Sequence, residues 1–136
     1  MKVIEIKNNS FDKDLIKKYL EKKMCFIGIF SKDCFHCTNM KPEWKILKKK
    51  LKKINTNTLF LEIDANYLNK IDVSSLKNSI DGFPSIMIFK NGKKIKDYSG
   101  DRSSNNMLNF FKGYMTTLNK KTKKAKKTKK NKTKSI

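Results

Sequence analysis

The sequence predicts an α/β domain over residues 1–118, a central mixed β-sheet flanked by helices, followed by a basic tail over residues 119–136. Three observations carry that expectation. Short apolar runs of strand length alternate with segments whose apolar residues recur at helical spacing. Asn91-Gly92, between two strand-like runs, is a two-residue hairpin signal, because both central positions of a type I′ turn need positive φ. The tail holds ten lysines and no acid. A like-charged block so poor in apolar residues cannot collapse, so it is expected to be disordered.

Each element has its own signature. Val3 to Lys7 alternates as a short strand. Ser10 is the expected N-cap of a first helix, with Asp12 and Asp14 in the first turn, where the helix dipole favours acids. Phe11, Leu15, Ile16 and Tyr19 would form its apolar face. Met24 to Phe30 is long and uncharged enough for a buried strand. Beyond Cys37, apolar residues at Met40, Trp44, Leu47, Leu51 and Ile54 follow helical spacing. Pro42 within that helix removes a backbone donor and crowds the preceding turn, so a kink is expected between Thr38 and Pro42. Leu59 to Asp64 reads as a third strand, Val73 to Ile80 as a short helix, and Ser85 to Phe89 as a fourth strand. Lys93 to Tyr98 returns from the hairpin. Ser103 or Ser104 then caps a last helix that buries Met107, Leu108, Phe111, Tyr114, Met115 and Leu118. The order is βαβαβαββα.

With 136 residues, 38% of them hydrophobic, the chain can bury one core without disulfide or metal staples. No apolar stretch approaches the roughly 20 residues that span a bilayer. The first ten residues lack the apolar centre of a signal peptide. The expected compartment is therefore the reducing cytoplasm, with the nucleus or a virus particle as alternatives that the tail raises. The net charge is +21, and removing the ten tail lysines leaves +11. Arg102 is the single arginine, and abundant Lys and Asn make part of this charge compositional. Two readings of the tail stay open. It is a plain solvated segment, or Lys120 to Lys134 attach the protein to nucleic acid or another anionic surface without sequence preference. No aromatic residue interleaves with these lysines, so base stacking is not indicated.

The chemistry concentrates at Cys34-Phe35-His36-Cys37, where the second strand meets the long helix. At a helix N-terminus, unpaired backbone N–H groups and the macrodipole stabilise an anion. A cysteine placed there becomes a nucleophile more readily. Zinc is the competing use of a Cys-x-x-Cys, but it needs four ligands. Only Cys25 and His36 remain, and His36 lies between the pair, so neither a metal nor another cofactor is expected. Cys25 sits in an apolar run and reads as an inert core residue. Trp44 and Met40 read as helix packing.

This order of elements, with the cysteine pair after the second strand, resembles the thioredoxin fold. The local residues resemble more narrowly a catalytic domain of protein disulfide isomerase. His36-Cys37-Thr38-Asn39-Met40-Lys41-Pro42-Glu43-Trp44 is similar to that branch's active-site helix, including the proline five residues after the second cysteine. Gly82-Phe83-Pro84-Ser85 resembles the loop before the fourth strand, whose proline is cis in the family. Phe89-Lys90-Asn91-Gly92-Lys93 and Tyr98-Ser99-Gly100-Asp101-Arg102 resemble the closing hairpin and the loop after it. The resemblance covers residues 1–118.

It implies a monomeric thiol–disulfide oxidoreductase that exchanges with protein thiols and disulfides and is recycled by an unidentified redox partner. Cys34 would attack, Cys37 would resolve, and the two would form the redox-active disulfide. His36 would stabilise negative charge on Cys34, giving a more oxidising couple than a proline there. Arg102 would approach Cys37 and ease its ionisation. Phe35, Phe83 and Pro84 would contact substrate, with Phe83 open to a plain core role. Asp33 stands where the family has tryptophan and opposes His36. Gly28 stands where the family has a buried acid that accepts the resolving cysteine's proton, which predicts slow resolution. The rival reading is a binding or packaging module, held on nucleic acid by its tail, with little turnover.

Overall fold

The computed structural model describes residues 1–115. The expected disorder of residues 119–136, the attachment through Lys120 to Lys134 and the burial of Leu118 lie outside the described residues. The elements are β1 (Lys2–Ile6), α1 (Lys13–Lys22), β2 (Met24–Phe30), α2 (Phe35–Lys52), β3 (Leu59–Asp64), α3 (Ser74–Lys77), β4 (Ser85–Lys90), β5 (Lys93–Asp97) and α4 (Ser104–Lys112), with a 3-10 helix over Ala65–Lys70 between β3 and α3. The strands form one sheet in the order β1-β3-β2-β4-β5. Helical crossovers make β1, β3 and β2 parallel, whereas β4 runs antiparallel to β2, and β5 antiparallel to β4.

Two expectations about α1 are corrected. Its N-cap is Asp12, whose side chain accepts from the Leu15 N–H at 3.1 Å. Ser10 instead donates its backbone N–H to Asn8 Oδ1, which holds it in the preceding turn. Leu15 is exposed, whereas Ile16 and Leu20 take the buried side with Tyr19 packed beside them, and Phe11 packs on the same core from the turn before the helix. At the other end of the chain Ser103 is the N-cap of α4, accepting from the Asn106 N–H. Glu43 of α2 accepts from the Ser104 N–H at 2.7 Å, so α2 also caps α4. The long helix runs through Pro42 as one element.

The period-2 alternation of the strands divides the core in two. Cys25, Ile27 and Ile29 of β2, Leu59, Leu61 and Ile63 of β3, and Met87 and Phe89 of β4 pack with Ile16, Leu20 and Leu76 of α1 and α3. Phe26 and Phe30, Phe60, and Ile86 and Ile88 face the other way. They pack with Met40, Trp44, Leu47, Leu51, Met107 and Phe111 of α2 and α4. Phe26 and Phe111 stack with ring centroids 4.4 Å apart, which joins α4 to the centre of the sheet.

The hairpin turn has φ of 51° at Asn91 and 84° at Gly92, as its sequence requires. It is tied down on both sides. The Gly92 N–H donates to the Leu20 carbonyl at 2.9 Å, and Ser75 Oγ donates to the Gly92 carbonyl at 2.7 Å. Beyond it, β5 forms an edge of the sheet that carries Lys93, Lys94 and Lys96 around a half-exposed Ile95. Among the described residues, no helix is long and apolar enough to cross a membrane.

Replacing Phe60, fully buried at the meeting of β3 with Trp44 and Phe111, tests this division of the core. Phe60→Ala is expected to cost about 3–5 kcal/mol by urea denaturation. Ile95→Ala on the exposed edge should stay within about 0.5 kcal/mol.

Candidate active site

The site is set by where β2 stops and α2 starts. β2 ends at Phe30, Ser31 to Asp33 turn the chain, and Cys34 is the N-cap of α2. In that position Cys34 Sγ accepts from the Cys37 N–H at 3.1 Å, taking one of the donors that a helix start leaves unpaired. The Cys34 carbonyl accepts from the Thr38 N–H and hydroxyl at 3.1 and 3.2 Å, which fixes the first turn. From the opposite side, the Cys34 thiol donates to the Phe83 carbonyl at 3.3 Å. Two contacts therefore act on one sulfur in opposite senses. The N–H contact strengthens when the sulfur becomes an anion, and the carbonyl contact must then be given up.

Phe83 is joined to Pro84 by a cis peptide bond, and Pro84 precedes β4 directly. The loop thus lies across the cysteine pair. Phe83, whose carbonyl meets the Cys34 thiol, is 38% exposed, and Phe35, next in the chain to the half-buried Cys34, is 72% exposed. His36 is exposed, and its ring meets that of Phe35 edge-on with centroids 5.9 Å apart. Arg102 lies in the loop before α4, and its charge reaches Cys37. Five of the seven expected site residues therefore meet at the start of α2 and the Pro84 loop. His36 and Arg102 border them from solvent.

The two cysteines of the motif differ sharply. Cys37 is 1% exposed, one turn into α2. Burial and its hydrogen bond to the Cys34 sulfur push its thiol up to about 11, against the smaller pull of the Ser31 backbone and Arg102. Cys25 points into the other half of the core, where burial pushes its thiol up to about 12. It donates weakly to the Tyr19 and Lys23 carbonyls. The sheet separates it from the pair. Among the described residues, no three His, Cys, Asp or Glu side chains come together as a metal site.

Gly28 has a steric reason. A Cβ there would lie 2.4 Å from two ring carbons of Trp44, which is buried and cannot swing away. The indole occupies the space that a side chain at residue 28 would need. Directly across the β2–β3 pairing from Gly28 is Glu62, and Trp44 Nε1–H donates to its Oε1 at 2.8 Å. Lys48 Nζ donates to the same oxygen at 2.7 Å and to Glu5 Oε2 at 2.5 Å. Lys7 lies 3.1 Å from Glu5 and 3.7 Å from Glu62. The Lys48 bond holds the Glu5 carboxyl down at about 2.

Sequence reasoning missed this buried network. The signal for it was Glu62 itself, which shares the inward face of β3 with Phe60 by alternation. A cavity of about 360 Å³ runs between Cys37 and Glu62, walled also by Phe30, Ser31, Lys7 and Asp64.

Three measurements test this geometry. Iodoacetamide near neutral pH should label Cys34 in the reduced protein and spare Cys25 and Cys37. The folded thiols of Cys37 and Cys25 keep protons that unfolded cysteines release near about pH 8.5. The stabilisation from these thiols should therefore be intact below that pH and fall as pH rises towards 11 and beyond, followed by the urea midpoint. Gly28→Ala should cost about 1–3 kcal/mol through the clash with Trp44.

Comparison with known proteins agrees with the fold. The family model described as Thioredoxin matches residues 2–113. Protein disulfide-isomerase of Medicago sativa is 29% identical over 111 residues, covering 81% of this chain and 21% of its own length. Protein disulfide-isomerase A6 of Homo sapiens is 28% identical over 106 residues, covering 78% and 23%. The chain thus spans about a fifth of the length of these curated relatives. The crystal structure of the reduced Schistosoma mansoni thioredoxin pre-protein superposes with a TM-score of 0.57 at 23% identity, covering 84% of this chain and 99% of that one. Its likeness extends the agreement to the whole fold. The mixed five-stranded sheet, the cysteine pair that opens α2 and the match over residues 2–113 make this chain a member of the thioredoxin family.

Proposed function

We propose that the protein exchanges its Cys34–Cys37 dithiol with disulfides of protein substrates. The observation that carries this reading is the asymmetry of the pair. Cys34 caps the helix, half-buried, with an N–H on its sulfur, and Cys37 is sealed one turn behind it. Family membership and the disulfide isomerases among the relatives support it.

In the reducing direction, the Cys34 thiolate attacks one sulfur of a substrate disulfide. A Cys34–substrate disulfide forms, and the other substrate sulfur leaves as a thiolate. Cys37 then loses its proton and attacks Cys34 Sγ. The Cys34–Cys37 bond forms, the bond to substrate breaks, and the second substrate sulfur leaves. Two electrons pass from the pair to the substrate, and the reverse sequence oxidises a substrate dithiol. Phe35 and Phe83 give the entrance an apolar border that suits an unfolded or extended segment. Pro84 has no N–H of its own to compete with that segment's backbone.

Full-length Cys37→Ser should accumulate a mixed disulfide on Cys34 with a disulfide-bonded peptide, seen by mass spectrometry, and Cys34→Ser should abolish exchange. A Cys34→Ser protein that still turned over would sink the assignment. His36→Pro should make the couple more reducing, measured by equilibration with glutathione. A shift of about 30 mV would correspond to about 1.4 kcal/mol.

A further inference from the structure

We propose that Glu62 is the base through which Cys37 releases its proton when it attacks the mixed disulfide, by way of water in the cavity between them. This rests on the exchange reaction proposed above and assigns a group to its second step.

Four observations converge on Glu62. Cys37 and Glu62 wall the same cavity, whose volume of about 360 Å³ is ample for a short water chain. One water needs only roughly 10–15 Å³ of such space. The Glu62 side chain is 7% exposed, so its environment is built by protein. Its two oxygens are used unequally. Oε1 accepts from both Trp44 and Lys48, whereas Oε2 has Lys7 at 3.7 Å, beyond hydrogen-bond distance and itself part of the cavity wall. Oε2 therefore retains accepting capacity on the side of the cavity. Finally, Lys48 is shared. When Glu62 takes up a proton, Lys48 keeps Glu5 as a partner at 2.5 Å, so no ammonium is stranded in the protein.

Gly28 excludes the alternative of an acid on β2. Trp44 covers that position, and the register places Glu62 directly beside it on β3. Asp64 is the other carboxylate of the cavity wall, but it is less buried than Glu62 and is committed to capping the 3-10 helix, its Oδ1 accepting from the Asn66 N–H at 2.9 Å. The need for a base comes from Cys37 itself, whose thiol is pushed up to about 11. At neutral pH only a small fraction of it would be ionised unaided.

In the step, the Cys37 proton passes to water and from water to Glu62 Oε2. The Cys37 sulfur forms its bond to Cys34 Sγ, and the substrate sulfur departs with its electron pair and takes a proton from solvent. Glu62 returns its proton to solvent through the cavity. The charged groups that surround the transfer are Lys7, Lys32, Lys41 and Asp64 of the cavity wall, Lys48 and Glu5 beside Glu62, and Arg102 near Cys37.

The test uses the full-length reduced protein and 5,5′-dithiobis(2-nitrobenzoate). The first chromophore released reports attack by Cys34, and the second reports resolution by Cys37. Glu62→Gln should slow the second phase by about tenfold or more near pH 7 and leave the first within about twofold. The deficit should shrink as pH approaches about 11, where Cys37 ionises without help. Glu62→Asp should restore part of the second phase, and Asp64→Asn should leave it unchanged. The unsubstituted protein gives an independent reading, because an internal base makes its second-phase rate rise less than tenfold per pH unit between about pH 6 and 9.

An unaltered second phase in Glu62→Gln would overturn the proposal. So would an equal slowing of both phases at every pH, or a loss that follows Asp64→Asn. If Glu62→Gln does not fold, a full tenfold rise per pH unit in the unsubstituted protein would overturn it instead. Absence of the first phase would strike the exchange reaction, not Glu62.

Discussion

The seating of Trp44 on Gly28 is the constraint on which the rest of the site depends. A flat indole can lie against a strand only where that strand has no side chain, and Gly28 supplies the gap in the middle of β2. The ring edge then meets Phe30 and Phe60, with centroids 4.9 Å away in each case, and its N–H ends on Glu62. One residue thereby fixes both the height and the rotation of α2 above the sheet. Cys34 and Cys37 lie at the start of that helix, so their distance from the Pro84 loop is a consequence of packing ten residues further along. The buried polar end of the contact adds direction to what would otherwise be an apolar surface free to slide.

Alternation along β2 does the complementary work. Residues 25, 27 and 29 face one layer of helices, and residues 26, 28 and 30 face the other. A third cysteine in the chain could interfere with a redox pair by forming the wrong disulfide. Cys25 has the odd parity, so the whole thickness of the sheet stands between it and Cys37. Its separation needs no special device beyond the two-residue period of a strand.

Much of this was legible in the residues because local pattern and final environment agree. β2 and β3 have the bounds that their apolar runs suggest, since central strands are covered on both faces and read as continuous hydrophobic blocks. The Asn91-Gly92 turn was legible because few residue pairs take that backbone. The start of α1 was not, because Ser10 and Asp12 are both good caps and the choice between them is made by the Asn8 turn. The 3-10 helix after β3 left no periodic trace over its six residues. At the site, the cysteine pair, Phe83 and Pro84 were readable from one short motif each. The Glu62 network was not, because its members come from β1, α2 and β3 and only the folded chain brings them together. An acid in the middle of an otherwise apolar central strand was the trace it left.

The lysines of β5 bear on how copies of the protein behave beside one another. An edge strand offers unpaired N–H and C=O groups to any other strand, and this one also has Ile95 partly bare. A second copy docking there would bring like charges to within about 4.8 Å, the spacing of paired strands. Charges at that distance keep most of their repulsion in 0.1 M salt, where the Debye length is about 10 Å, and lose most of it in 1 M salt, where it is about 3 Å. Among the described residues, Lys94 alone of these lysines has an ion-pair partner, Asp97 at 2.7 Å. Resistance to strand-by-strand aggregation is therefore an ionic-strength-dependent property of this edge. Concentrated salt or a polyanion weakens that guard.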